Sequence, residues 1–159
     1  MAIRIVREKG DELLGIKAKE VSRFDHTLVR LIDDMFATMH HYHGIGLAAP
    51  QIGISKRIIV VEVDDDKMAL INPVIVEAAG EEADVEGCLS WPGHYGEVVR
   101  KTHITVVART ALGEEVKVQA EGLLARCLQH EIDHLNGVLF CDIARRLLDK
   151  SEMSDGSDE

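Results

Sequence analysis

The stretch GLLARCLQHEIDHLNG, residues 122–137, decides how this chain is read. It contains Ile132 as its single β-branched residue and meets Gly137 at its end, which predicts a helix from about Leu123 to Asn136. Within it, QHEIDH at residues 129–134 is an HExxH pattern. His130 and His134 stand one helical turn apart, about 6 Å along the axis, so both imidazoles can reach one divalent cation while Glu131 borders its open position. This is the local geometry of a hydrolytic metal site.

The segments around this helix are of two kinds. Residues 24–43 place Phe24, Leu28, Leu31, Ile32, Met35, Phe36 and Met39 at helical spacing, with Arg30, Asp33 and Asp34 on the other side. They predict an amphipathic N-terminal helix that ends at Gly44. Between residues 57 and 120 the pattern shifts to short runs rich in Val, Ile and Thr: RIIVVEV, MALINPVIV, EVVR, HITVVAR and EEVKVQ. Turn-forming clusters at Asp64–Asp66 and Ala111–Gly113 separate them, which predicts mainly antiparallel strands. The fold class expected is α+β, with antiparallel β-sheets packed around a central helix that carries HExxH, and an N-terminal amphipathic helix.

A chain of 159 residues, 46% of them apolar, supports one substantial core, so residues 1–148 are expected to form a single catalytic domain. The last stretch, residues 149–159, is acidic and nearly free of apolar side chains and is expected to be a disordered tail. A formal charge of −10 without a Lys/Arg-rich run argues against direct nucleic-acid binding. The opening MAIRIVREKGDE lacks a signal-like apolar stretch, and no window approaches a membrane span, so a cytoplasmic location is expected. Cys88, Cys127 and Cys141 are odd in number and irregular in spacing, which fits reduced thiols better than a disulfide framework.

A catalytic site of this type needs a third protein ligand. Cys127 lies about 10.5 Å of helix from His134, too far for its short side chain, and reads as a core residue, as does Cys141 after the apolar VLF. Cys88, in EGCLSWPG between a candidate strand and a Trp-Pro-Gly turn, is the better candidate. A Cys/His/His set suits Fe²⁺, Zn²⁺, Co²⁺ or Ni²⁺ and suits Mg²⁺ or Ca²⁺ poorly. Such a cation lowers the pKa of a water in its open position, and Glu131 is placed to take that proton and pass it to a leaving group. The segment GIGLAAPQIG, residues 44–53, exposes backbone through its small residues and offers the Gln51 amide as an oxyanion donor; read alone it is more often an ordinary tight connection than a site.

Taken together, GIGLAAPQ (44–51), EGCLS (86–90) and QHEIDHLNG (129–137), in this order and at these separations, resemble the three signature motifs of peptide deformylase. The resemblance implies a metal-dependent hydrolase of protein biosynthesis and N-terminal methionine processing. Its substrates would be the N-formylmethionyl peptides of nascent chains, and formate would be released. Carried over by position, it implies Cys88, His130 and His134 as metal ligands, with Glu131 as general acid and base. The Gln51 side chain and the Leu89 backbone N–H would be the oxyanion donors, Gly46 would lie against the bound peptide, and Ile45 beside the methionine pocket. It implies Fe²⁺ foremost as the metal, with Zn²⁺, Ni²⁺ or Co²⁺ able to substitute, and transient ribosome contact. The acidic ending LLDKSEMSDGSDE departs from the basic terminal helix through which some members dock.

Three further readings concern side chains without a settled role. His40, His41 and His43 read as polar residues suited to a helix C-terminus rather than as a second metal site. Trp91 reads equally as a border of the substrate entrance or as packing, and Asp133 as a solvated position or a partner of Arg100. Two other functions compete with deformylation. An HExxH peptidase would use Glu or His as third ligand, which Cys88 argues against. A catalytically silent relative that binds metal or formylated peptides would have no need of Glu131.

Overall fold

The computed structural model describes residues 2–148; the acidic ending at 149–159 lies outside the described residues. The fold is mixed α/β, with antiparallel sheets and few helices. Helix α1 spans His26–His41 and starts where the Asp25 side chain accepts from the backbone N–H groups of Thr27 and Leu28. Strands follow at β1 (Gly46–Ala48), β2 (Ile58–Val63), β3 (Asp66–Ala79), β4 (Glu82–Cys88), β5 (Trp91–Arg100), β6 (His103–Arg109) and β7 (Glu115–Glu121). Helix α2 (Gly122–Leu135), the short α3 (Phe140–Ile143) and β8 (Arg146–Leu148) complete the chain. One sheet runs β1-β2-β3-β6-β7 and the other β4-β5-β8, with antiparallel pairing throughout.

Strand β2 shows why the larger sheet has a helix on each side. Its side chains alternate between faces, and both faces are buried. Ile59, Val61 and Val63 join Leu128, Ile132 and Leu135 of α2 in one core, while Ile58 and Val60 join Leu28, Ile32, Met35 and Met39 of α1 in another. Helix α2 is therefore interior, and each polar group on it requires a partner. Gln129 exchanges hydrogen bonds with the backbone of Lys101 and donates to Ala125 O. At the C-terminus, Arg57 donates to the Leu135 carbonyl, which has no partner within the helix, and to the Asn136 side-chain Oδ1.

The smaller sheet differs from the sequence reading. The candidate strand before Cys88 is present as β4, although no β-rich run marked its extent, whereas Trp91-Pro92-Gly93 forms the start of β5 rather than a turn. The reversal occurs at Leu89–Ser90, and Cys88 pairs directly with Trp91. Pro92, Gly93 and His94 are accommodated as an irregularity between the Cys88–Trp91 and Gly87–Tyr95 pairs. Among the described residues β8 pairs with β5 from Tyr95 to Glu97, so the missing N–H of Pro92 breaks none of those ladder bonds. Cys141, read as a core residue, is only half-buried, because α3 carries it at the surface. None of the described helices is long and apolar enough to cross a membrane.

Candidate active site

Each sheet and the interior helix deliver one part of a single cleft of about 800 Å³. Strand β1 carries Gly46, the 3₁₀ turn Ala49–Ile52 carries Gln51, the end of β4 carries Cys88, and α2 carries His130, Glu131 and His134. Ile45, Gly46, Gln51, Cys88, Leu89, His130 and Glu131 all line the cleft, and His134 lies fully buried behind it. Leu89 follows Cys88 at the reversal, and Ile45 stands half-exposed at the mouth. Trp91 also lines the cleft; its ring stacks on His94 at 4.0 Å, with Lys9 Nζ 5.1 Å from its centroid.

The donor atoms of Cys88, His130 and His134 lie within 4.8 Å of one another, and Cys88 Sγ is 3.2 Å from His134 Nε2. Around a tetrahedral ion, with ligand bonds of about 2.3 Å to sulfur and 2.0 Å to nitrogen, neighbouring donors stand about 3.5 Å apart. The three side chains therefore fit one ion, and their thiol and imidazole chemistry suits a transition metal rather than Mg²⁺ or Ca²⁺. Gln51 Nε2 at 3.5 Å and the Ser90 N–H at 3.4 Å both point at the Cys88 sulfur, contacts that a thiolate ligand accepts. Gln51 is fixed at both ends: its Oε1 accepts from Ala48 N at 2.9 Å, and its Nε2 donates to Ser90 Oγ at 3.1 Å. The histidines at 40, 41 and 43 form no comparable group among the described residues; His40 pairs with Glu62 at 2.6 Å.

The sequence reading missed the charges behind the ligands. Glu86, two residues before Cys88, accepts from Arg100 Nε and Nη2 at 2.8 and 2.9 Å and from Arg126 Nη1 at 2.6 Å. His130 Nδ1 lies 2.9 Å from the same carboxylate, which leaves Nε2 of that ring to face Cys88. Burial opposes charge on Glu86, yet the hydrogen bonds from Arg100 and His130 hold its carboxyl well below the usual range. Arg100 also pairs with Asp133, so the partner considered for Asp133 is present. The signal available in the sequence was an Arg at position 126 on the buried face of a helix.

His134 and Glu131 respond to burial in opposite chemical senses. Burial pushes the His134 imidazole well below its ordinary value, toward the neutral form a metal ligand needs. Burial pushes the Glu131 carboxyl up to about 7, the value of a group able both to take and to give a proton near neutrality. Glu131 Oε1 has no hydrogen-bond partner among the described residues. Gly46 is where this carboxylate needs room: a Cβ there would stand 2.6 Å from Glu131 Oε2.

A half-buried cysteine and two buried histidines thus meet beside an unpaired glutamate and a rigid amide donor. The model of the polypeptide deformylase family matches residues 3–150. This chain belongs to the polypeptide deformylase family. Peptide deformylase 1 of Clostridium acetobutylicum is 53% identical over 142 residues, covering 89% of this chain and 95% of that protein. The crystal structure of the Thermotoga maritima peptide deformylase superposes with a TM-score of 0.90 at 44% identity, covering 92% of this chain and all of the other. That of the Synechococcus elongatus peptide deformylase, in complex with actinonin, superposes with a TM-score of 0.86 at 46% identity, covering 89% of this chain and 78% of that one. Relatedness over nearly whole chains supports an enzyme of this family rather than a silent relative.

Proposed function

We propose that this chain removes the formyl group from N-formylmethionyl peptides of nascent chains, using one metal ion held by Cys88, His130 and His134. The observation that carries the reading is the pairing of this ligand cluster with the unpartnered Glu131 carboxylate at the floor of one cleft. When bound, the ion polarises the formyl carbonyl and acidifies a water, and Fe²⁺ is proposed as the native ion, with Zn²⁺, Ni²⁺ or Co²⁺ able to replace it.

The chain's own residues supply the other steps. Glu131 takes the proton released as water adds to the formyl carbon and returns it to the amine nitrogen as the C–N bond breaks, giving formate and a free amino terminus. The Gln51 side-chain N–H and the Leu89 backbone N–H steady the oxyanion. Gly46 lets the peptide backbone approach β1, and Ile45 flanks the methionine side chain. Residues 1–148 act as one catalytic domain in the cytoplasm, in transient contact with the ribosome and without direct nucleic-acid or membrane binding.

The test is formate release from a formyl-Met tripeptide by protein prepared anaerobically with Fe²⁺ or Ni²⁺, with Glu131→Ala as control and metal content measured in both. Turnover by the parent and its loss in a variant that retains metal are expected. No formate from folded, metal-loaded parent protein would overturn the proposal.

A further inference from the structure

The metal ligands come from two bodies that share little apolar core. His130 and His134 belong to α2, which is packed into the larger sheet through Leu128, Ile132 and Leu135. Cys88 belongs to the β4-β5-β8 sheet, and none of the described residues of those three strands is a member of either apolar core. Val98 and Phe140 are buried near the junction and Leu89, at the β4–β5 reversal, packs against the core on the α1 side, but the directional contacts from the hairpin to α2 are polar. How accurately Cys88 meets the two imidazoles therefore depends on side chains that tie the hairpin to the helix.

Arg126 does this most completely. Its Nη1 donates to Glu86 Oε2 at 2.6 Å and to Val98 O at 3.0 Å, and its Nη2 donates to Glu82 O at 2.7 Å. One guanidinium thus grips a side chain and the backbones of both β4 and β5. The spacing of the two elements explains why this sets register. Positions 126, 130 and 134 rise along α2 by about 6 Å per step, and positions 86 and 88 share a face of β4 about 6.6 Å apart. The two series interleave. Glu86 is held between Arg126 and His130, and Cys88 between His130 and His134.

We infer that Arg126 is a positioning residue, a clamp that fixes the axial register of the β4–β5 hairpin against α2 and so brings Cys88 into the geometry one metal ion requires. The inference rests on the reading of Cys88, His130 and His134 as ligands. Arg100 neutralises Glu86 and reaches Asp133, but it stands at the end of β5 and lacks the grip on the β4 backbone. Without Arg126 Glu86 keeps Arg100 as a charge partner, and the hairpin loses its register stop.

The test uses Co²⁺, whose thiolate charge-transfer absorption reports ligation by Cys88 while competition against a chelator reports affinity. Arg126→Met retains the apolar stem and removes all three hydrogen bonds. It is expected to weaken Co²⁺ binding about 10- to 100-fold and to reduce the charge-transfer band. Arg126→Lys keeps the charge beside Glu86 but carries its donors on one nitrogen and cannot reproduce a grip spread over Nη1 and Nη2, so an intermediate loss is expected; full rescue by Lys would show a charge effect and overturn the clamp. Should Arg126→Met fail to fold, the Lys variant alone decides, with parent-like affinity and spectrum refuting the inference. Arg57→Met, which uncaps the far end of α2, should lower the melting temperature with the Co²⁺ spectrum intact. A spectral loss in that variant equal to that of Arg126→Met would refute a specific role for Arg126. A parent protein that binds no Co²⁺, or whose Cys88→Ser variant gives the same band, would instead overturn the ligand assignment itself, and the clamp with it.

Discussion

Replacing Gly46 with Ala adds one methyl group at the point where β1 passes the floor of the cleft. The new Cβ would lie 2.6 Å from Glu131 Oε2, 2.8 Å from Cys127 Sγ and 3.0 Å from Glu131 Cγ, whereas ordinary contact begins at 3.4 Å. Neither neighbour can retreat into solvent, since Glu131 is 4% and Cys127 5% exposed. The strand cannot move away either, because Gly46, Leu47 and Ala48 are paired to Val61, Val60 and Ile59 of β2. The carboxylate must shift by roughly 1 Å. A displacement of that size at a proton-transferring group costs about 100-fold in rate, and overpacking a filled site costs about 1–3 kcal/mol of stability. The assay is kcat/KM for formate release, with metal content and melting temperature measured beside it. Gly15→Ala, which meets nothing within 4 Å, is the control for inserting a methyl at a glycine and should be unaffected. A Gly46→Ala protein retaining more than about a third of parental kcat/KM would refute the placement of Glu131 as the proton carrier beside this strand.

Gln51→Ala removes a donor already fixed by Ala48 and Ser90, so kcat should fall roughly 10²- to 10³-fold with metal content unchanged; parental kcat would exclude Gln51 from the oxyanion site. Asp34 carries a pH prediction. A hydrogen bond from the Ala2 N–H and the Arg4 guanidinium hold its carboxyl below the ordinary value of 3.8, against burial. This contribution is fully present above pH 3.8 and disappears as pH falls through the lower folded-state value, so Asp34→Asn should lower the denaturation midpoint at pH 7 and lose its effect progressively as the solution is acidified below pH 3.8. A midpoint difference that is constant with pH would count against it. If the ion is ferrous, exposure to air should abolish activity through oxidation of iron or of Cys88, while the Ni²⁺ form outlasts it; an iron form that stays fully active in air would contradict this.

What could be read from the sequence follows the range of the physics involved. Helix α2 and the approximate strands β2 and β6 are encoded locally, in apolar spacing and β-branched runs, and the spacing of His130 and His134 fixes their geometry once the segment is helical. Strand β4 is not encoded that way: EADVEGC has Val85 as its sole β-branched residue, and its extended form comes from pairing with β5 from Glu82–Arg100 to Gly87–Tyr95. Trp91-Pro92-Gly93 carries turn chemistry and nevertheless lies in a strand, because the reversal is made earlier by Leu89 and Ser90. The network of Glu86, Arg100 and Arg126 joins residues far apart in the chain, and nothing in the spacing of those residues announces it.

Two buried glutamates show how one site sets opposite roles for the same side chain. Glu86 is surrounded by donors from Arg100, Arg126 and His130, which hold its carboxyl charged well below the usual carboxylate range. A carboxylate so held cannot accept a proton from a reacting water; it can only orient His130 and neutralise the arginines around it. Glu131 sits beside His130 on α2 with one oxygen unpartnered, and burial, the largest influence on it, together with the neighbouring charges leaves it lifted to about 7. A cation at the three ligands would pull that value down, because an adjacent positive charge favours the carboxylate, so the loaded site titrates below it. The direction matters for the proposed mechanism: ionised at neutral pH in the loaded site, Glu131 would begin the cycle as a base and become an acid only after taking the proton from water. The unpaired oxygen that costs the folded state a hydrogen bond is thus what leaves Glu131, and not Glu86, free to move a proton.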